Sequence, residues 1–271
     1  MFDSGFGGLT VARALIDLLP DEHLVYVGDT GRYPYGPRPL GEVRGFAHQI
    51  TELLVRDHDV KLVVVACNTA ASAAPLAELA AAFGVPVVGV IEPGTRSLLQ
   101  ATRTGRVGVI GTVGTIASGS YQRVVEALGP GTGIRLTCAA CPGFVEFVEK
   151  GEFRSDQVRV LAERLLAPVR DAKVDTLLLG CTHYPFLART IGDVMGRDVV
   201  LVSSADETAF EVLHMLEGSS LARVRGAGDP PARHRWLSSG DVSWFRDLGG
   251  RLLGPELAAA EPVRWPTPEG A

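Results

Sequence analysis

VVVACNT at residues 63–69 and LLLGCTH at residues 177–183 decide how this chain is read. Each is an apolar run that stops at a small residue, then a cysteine, then a short polar group opening a helical pattern. A strand that is apolar at every position is buried on both faces, as a parallel strand between helices is. The polar group that follows then sits at the strand's carboxyl end, where open α/β sheets bind their ligands. The two cysteines are 114 residues apart (181 − 67), which suggests two halves built alike.

Working outward, further strand patterns lie at 24–28, 61–66, 85–90, 106–111, 134–138, 175–180 and 198–203, with helical patterns at 39–58, 118–129, 156–172 and 206–218. Such alternation predicts open parallel sheets. IEPGTRS (91–97) is the expected crossover between the halves. FDSGFGGLTVARALIDLL (2–19) reads as a turn and a helix with almost nothing before it. Either the first strand is very short or the natural chain starts earlier. The expected division is a first α/β domain over 1–94, completed by 206–271, and a second over 95–205. Within it, 218–271 is expected to pack back on the first half, through a Pro/Gly/Arg linker (226–235), a strand-like run and a helix at 244–254. The tail 261–271, with three prolines, is expected to be extended.

Composition bounds the function. At 271 residues, 46% hydrophobic and 21% charged, the chain has the make-up of a globular enzyme. A net charge of −5 leaves no electrostatic footprint for nucleic acid or an anionic membrane surface. No apolar run approaches the roughly 18 residues that span a bilayer. Cys67, Cys138, Cys141 and Cys181 are too few and scattered for a disulfide scaffold, and unpaired thiols fit a reducing cytoplasm.

Four loops bring polar groups to the sheet edge: Asp3-Ser4, Asp29 to Gly36, Cys67-Asn68-Thr69 and Cys181-Thr182-His183. Each of Cys67 and Cys181 precedes a helix start, whose free N–H groups and dipole favour an anion and lower a thiol's pKa from about 8.5. A single buried cysteine is more often a small hydrophobe, but two at equivalent turns are poorly explained that way. Two thiols facing one cavity suit inversion of a stereocentre, one removing a proton from carbon and the other supplying one to the opposite face. Asp3 could orient the first thiol and His183 the second.

Pyridoxal phosphate chemistry needs a lysine. Lys61 and Lys173 sit before strands, at the wrong edge, and Lys150 ends a helical run, so no cofactor is expected. Cys138-Ala-Ala-Cys141 lacks the second pair that a zinc site needs, and no metal is expected. Gly108, Gly111 and Gly114 fit neither GxGxxG nor a P-loop. Two other classes compete: a non-catalytic two-lobed amino-acid-binding protein, and a single-thiol nucleophilic enzyme. Each leaves at least one of the paired thiols without a task.

DSGFGGLTV (3–11), GDTGRYPYG (28–36), ACNTA (66–70), GVIEPG (89–94), ACP (140–142) and LGCTHYP (179–185) together resemble the glutamate racemases, cofactor-independent enzymes of bacterial cell-wall synthesis. The likeness runs from residue 2 to about 217. It implies two doubly wound parallel-sheet domains related by a pseudo-twofold axis, with the active site in the cleft between them. It also implies that Cys67 serves D-glutamate and Cys181 L-glutamate. Asp3, Ser4, Tyr35, Gly36, Asn68, Thr69, Thr182 and His183 fall on substrate-contacting motifs, and Asp29 and Glu149 on assisting acidic positions. A cytoplasmic homodimer that supplies D-glutamate for peptidoglycan is the family expectation. Aspartate racemases, the nearest alternative, share the paired thiols, but have Glu where this chain has His183 and lack the DSGxGG opening.

Overall fold

A computed structural model describes residues 1–265 of the chain. Residues 266–271, most of the tail expected to be extended, lie outside the described residues. The chain forms two parallel sheets. The first contains β1 (Phe2–Asp3), β2 (Leu24–Gly28), β3 (Val63–Val65), β4 (Val87–Gly89), β9 (His234–Ser238) and β10 (Glu261–Pro262), in the order β10-β9-β2-β1-β3-β4. The second contains β5 (Arg106–Gly111), β6 (Arg135–Ala140), β7 (Thr176–Gly180) and β8 (Val200–Val202), in the order β6-β5-β7-β8.

The apolar runs at 63–65 and 177–179 are buried on both faces. Val63 and Val65 belong to one core cluster and Val64 to another, on the opposite side of the first sheet. Leu177 and Leu179 likewise share a cluster that excludes Leu178. Successive side chains of a strand point to opposite faces, so each run feeds two layers of packing. The cluster holding Val64, Leu177 and Leu179 is continuous across both halves.

β1 is only two residues long, yet it lies between β2 and β3, with Phe2 opposite both Val27 and Val65. That places Asp3 and Ser4 at the middle of the first sheet's carboxyl edge. IEPGTRS is the crossover between the halves, and it is helical. It starts a helix, α5 (Ile91–Ala101), that carries the chain from β4 to β5. Pro93 is tolerated because the first turn needs no donor there. Gly94 lets α5 approach the second half closely, since a Cβ there would lie 2.8 Å from Ser204 Cβ.

The pattern at 156–172 is two helices rather than one, α9 (Asp156–Leu165) and α10 (Ala167–Asp171). Pro168 cannot donate to the carbonyl four residues back and its ring crowds that group, so the helix breaks at Leu166 and restarts at Ala167. Beyond α12 (Ala205–Glu217), residues 234–262 extend the first sheet. β9 pairs with β2 in parallel from Leu24 opposite His234 to Gly28 opposite Ser238, with α13 (Val242–Leu253) before β10. No helix among the described residues is long and apolar enough to cross a membrane.

Candidate active site

The carboxyl ends of both sheets meet at one narrow cavity, about 80 Å³. Cys67 follows β3 and is the residue before α3 (Asn68–Ala73), and Cys181 directly follows β7. Both are buried, at 5% and 7% exposure, and both line the cavity. Ser4, Tyr35, Gly36, Asn68, Thr69, Thr182 and His183 line it with them. Asp3, Asp29 and Glu149 do not. Each stands behind a lining residue and bonds to it: Thr182 Oγ1 donates to Asp3 Oδ2 (3.0 Å), Tyr35 donates to Asp29, and His183 Nε2 meets Glu149 Oε1 at 2.7 Å.

The cavity is closed by bonds between the halves. Thr69 Oγ1 lies 2.9 Å from Thr112 Oγ1 and 3.2 Å from Thr115 Oγ1, and Asn68 Nδ2 donates to the Tyr121 hydroxyl (2.8 Å). The Gly114 amide donates to the Gly36 carbonyl at 2.9 Å. This approach needs glycine on both sides, because a Cβ on Gly36 would lie 2.9 Å from Thr112 Cβ and one on Gly114 2.9 Å from the Gly36 carbonyl oxygen.

The two thiols sit in different electrostatic surroundings. Burial pushes the Cys67 thiol up to about 12, and the nearby Asp3 carboxylate adds to this, against weaker opposition from the Ala70 amide and Ser4. The expectation that a helix start would lower this pKa is therefore overturned: loss of water outweighs six residues of helix. Cys67 Sγ is 3.7 Å from Ser4 Oγ. Cys181 Sγ instead lies 3.9 Å from His183 Nδ1. Burial opposes charge on His183, but its hydrogen bonds to Cys181 and Glu149 and their charges outweigh it and hold its pKa well above the usual histidine range. Glu149 is raised by burial against the pull of His183.

Asn68 Oδ1 and the Tyr33 hydroxyl, both in buried positions on residues lining the cavity, lack a hydrogen-bond partner among the described residues. Buried polar groups need partners, and a small polar ligand can supply them. The lining contains neither lysine nor arginine, so among the described residues a carboxylate bound here is met by neutral donors and, as the one cation, by protonated His183. Lys61 is engaged by Glu22 and the Leu221 carbonyl. Among the described residues no three His, Cys, Asp or Glu side chains converge as a metal site.

Sequence reasoning missed Tyr33, Thr112, Val113, Cys141 and Glu146, all in the lining. Thr112 follows β5 and Cys141 follows β6, so the rule that ligands gather at strand carboxyl ends was the available signal. The CxxC pair is divided between environments: Cys141 is buried in the cavity wall and Cys138 is half-buried beside a different cluster, both as free thiols. Cys138→Ala should keep full turnover. Cys141→Ala should lose about 1 kcal/mol of stability from the lost packing, with only a minor fall in kcat. Denaturant unfolding and steady-state rates check both, and a Cys138→Ala protein without turnover would contradict the assignment.

Residues 9–211 match the family described as Asp/Glu/Hydantoin racemase. The glutamate racemase of Parafrankia sp. (strain EAN1pec) is 51% identical over 259 residues, covering 96% of this chain and 91% of that protein. Among solved structures, a glutamate racemase isoform of Bacillus anthracis superposes with a TM-score of 0.88 at 40% identity, covering 98% of this chain and 96% of that one. Glutamate racemase from Francisella tularensis in complex with D-glutamate superposes with a TM-score of 0.86 at 31% identity, covering 97% and 95%. Picrophilus torridus aspartate racemase, at 17% identity and a TM-score of 0.54, shares the fold alone.

Proposed function

This chain belongs to the Asp/Glu/Hydantoin racemase family, and from that premise we propose that it interconverts L- and D-glutamate by two-base proton transfer between Cys181 and Cys67. It is an isomerase, a cofactor-independent amino-acid racemase. The observation that carries the two-base reading is the meeting of two buried thiols, from equivalent turns of separate sheets, in one cavity.

In the L-to-D direction the Cys181 thiolate takes the Cα proton and becomes a thiol. The electron pair left on Cα then accepts the proton of the Cys67 thiol from the opposite face, and Cys67 is left as the thiolate. The reverse direction runs the same steps backward. Cys67, pushed up to about 12, rests as the proton donor that the L-to-D direction requires. The His183 imidazolium, paired with Glu149 and 3.9 Å from Cys181 Sγ, stabilises the negative charge there when Cys181 acts as the base. Asp3 fixes Thr182, and its charge adds to the burial that keeps Cys67 protonated.

Ser4, Tyr35, Gly36, Asn68, Thr69, Thr182 and His183 form the wall that binds the substrate; its carboxylates are met by neutral hydroxyl and amide donors, with the His183 imidazolium as the cation of the wall. In the same reading the first domain is 1–94 with 206–271 and the second 95–205. The placement of β1 to β4, β9 and β10 in one sheet and β5 to β8 in the other supports it. The enzyme acts as a cytoplasmic homodimer, and its D-glutamate feeds peptidoglycan synthesis. Both of these follow the family likeness.

Incubation with L-glutamate in deuterated water tests the reading. Optical rotation should decay to zero while deuterium enters Cα of the product. Unchanged rotation with no deuterium would end it. A non-catalytic binder gives that null result, and has no use for a second thiol.

A further inference from the structure

Asp29 is fully buried and its carboxylate is surrounded by four donors. Two come from its own loop: Arg32 Nε at 2.6 Å and the Tyr35 hydroxyl, both on Oδ2. The other two come from the far end of the chain: Ser239 Oγ at 2.5 Å and Trp265 Nε1 at 2.9 Å, both on Oδ1. Trp265 is 236 residues from Asp29 in sequence. The Arg32 guanidinium also lies over its ring, 4.2 Å from the centroid, and over the Phe46 ring at 4.0 Å. Ser239 Oγ further accepts from the Gly31 amide (3.0 Å), and Thr30 Oγ1 meets Ser238 Oγ at 2.7 Å.

The loop so held is the one that presents Tyr33, Tyr35 and Gly36 to the cavity. Tyr35 is 1% exposed, and burial followed by the Asp29 charge raises its pKa, so it stays a donor to Asp29. Asp29 has both oxygens committed and no face on the cavity. It is suited to hold a wall, not to move a proton.

We propose that Asp29 is a positioning residue, and that Ser239 and Trp265 of the C-terminal segment complete the active site by clamping, through Asp29 and Arg32, the loop that presents Tyr35 and Gly36 to substrate. The assignment of the loop to substrate rests on the racemase reading; the clamp itself does not. The clamp ties the end of the chain to the substrate wall across β9 and β2.

Two variants and two readouts test the clamp. Trp265→Phe keeps a ring over Arg32 but removes the Nε1 donor, and Ser239→Ala removes the other distal donor. Loss of one hydrogen bond to a buried carboxylate should loosen the loop enough to raise KM about tenfold. The rise should be equal for L- and D-glutamate, because the loop serves neither thiol in particular, and kcat should change less than about threefold. Amide hydrogen exchange of residues 30–36 should accelerate about tenfold in both variants, with the rest of the chain unchanged. Unchanged exchange at 30–36 would overturn the clamp, whether or not the protein racemises glutamate. Accelerated exchange with unchanged KM would confine the segment to a structural role and overturn its part in the site. Wild-type protein inactive on glutamate would remove the substrate assignment while the exchange result still decides the clamp. Should Trp265→Phe fail to fold, Ser239→Ala carries both readouts alone.

Discussion

Cys67→Ser and Cys181→Ser each lose racemisation by about 10²–10⁴-fold or more in kcat/KM, and by the same factor whichever enantiomer is supplied. A serine hydroxyl is far too weak an acid and base near neutral pH to replace a thiol. The equal loss is a thermodynamic necessity. Enantiomers have equal free energy, so the equilibrium constant is unity and kcat/KM must match in the two directions for every variant. Racemisation rates therefore cannot reveal which thiol serves which face. A glutamate-like analogue that expels a β-leaving group after deprotonation can, because elimination needs one base only. Cys67→Ser should still process the L-analogue through Cys181 and nearly lose the D-analogue. Cys181→Ser should show the reverse. A single variant that loses both analogues to the same extent would show that the thiols act as a coupled unit, and the face assignment would fall.

That the two thiols share a cavity was legible because the pattern around them is local. Three valines or three leucines in a row mean a strand covered on both sides, and Val64 and Leu178 do point away from their neighbours into other clusters. The polar residues that follow stand at the carboxyl edge by topology alone. Features that depend on local competition were harder to read. Periodicity runs through 156–172 unbroken, and only the missing donor and ring of Pro168 divide it. The Cys67 pKa direction was misread because sequence displays the helix start but not the burial that outweighs it.

Contacts between distant segments left no local trace. Glu149 was named only as an assisting acidic position through the family resemblance, and its meeting with His183 at 2.7 Å across 34 residues left no trace in the sequence. Trp265 gave no signal at all, since nothing near it in sequence shows that Asp29 is its partner. The wall residues Thr112 and Cys141 were readable in principle. The loops after β5 and β6 were judged against nucleotide and zinc patterns and not against the simpler rule of strand ends.

The free enzyme should bind L-glutamate more tightly than D-glutamate, with kcat from the D side larger in the same proportion. L-glutamate requires Cys181 as thiolate and Cys67 as thiol; D-glutamate requires the opposite arrangement. The His183 imidazolium, 3.9 Å from Cys181 Sγ, favours the first, and the burial and Asp3 charge that push Cys67 up to about 12 disfavour the second. A ligand whose competent form is sparsely populated shows a KM raised by the inverse of that fraction. A charge pair near 4 Å is worth about 1–4 kcal/mol between water and a protein-surface dielectric. A KM ratio of about tenfold or more therefore follows, and because kcat/KM must match, the kcat ratio follows with it.

The pH dependence has a definite sign. His183 is held well above the usual histidine range, so its proton and the L preference persist through neutral pH and fade as pH rises through the raised value. Glu149→Gln removes the carboxylate that helps retain this proton and should move the fade to lower pH. His183→Gln should shrink the KM ratio to the part that buried Cys67 contributes and remove its pH dependence near neutrality, with kcat/KM falling by about 10²-fold in both directions alike. KM and kcat for each enantiomer between neutral and alkaline pH check this. A KM ratio indifferent to both substitutions would mean that His183 does not set the charge on Cys181. The imidazolium would then have to act on the substrate, and the asymmetry would have to come from Cys67 alone.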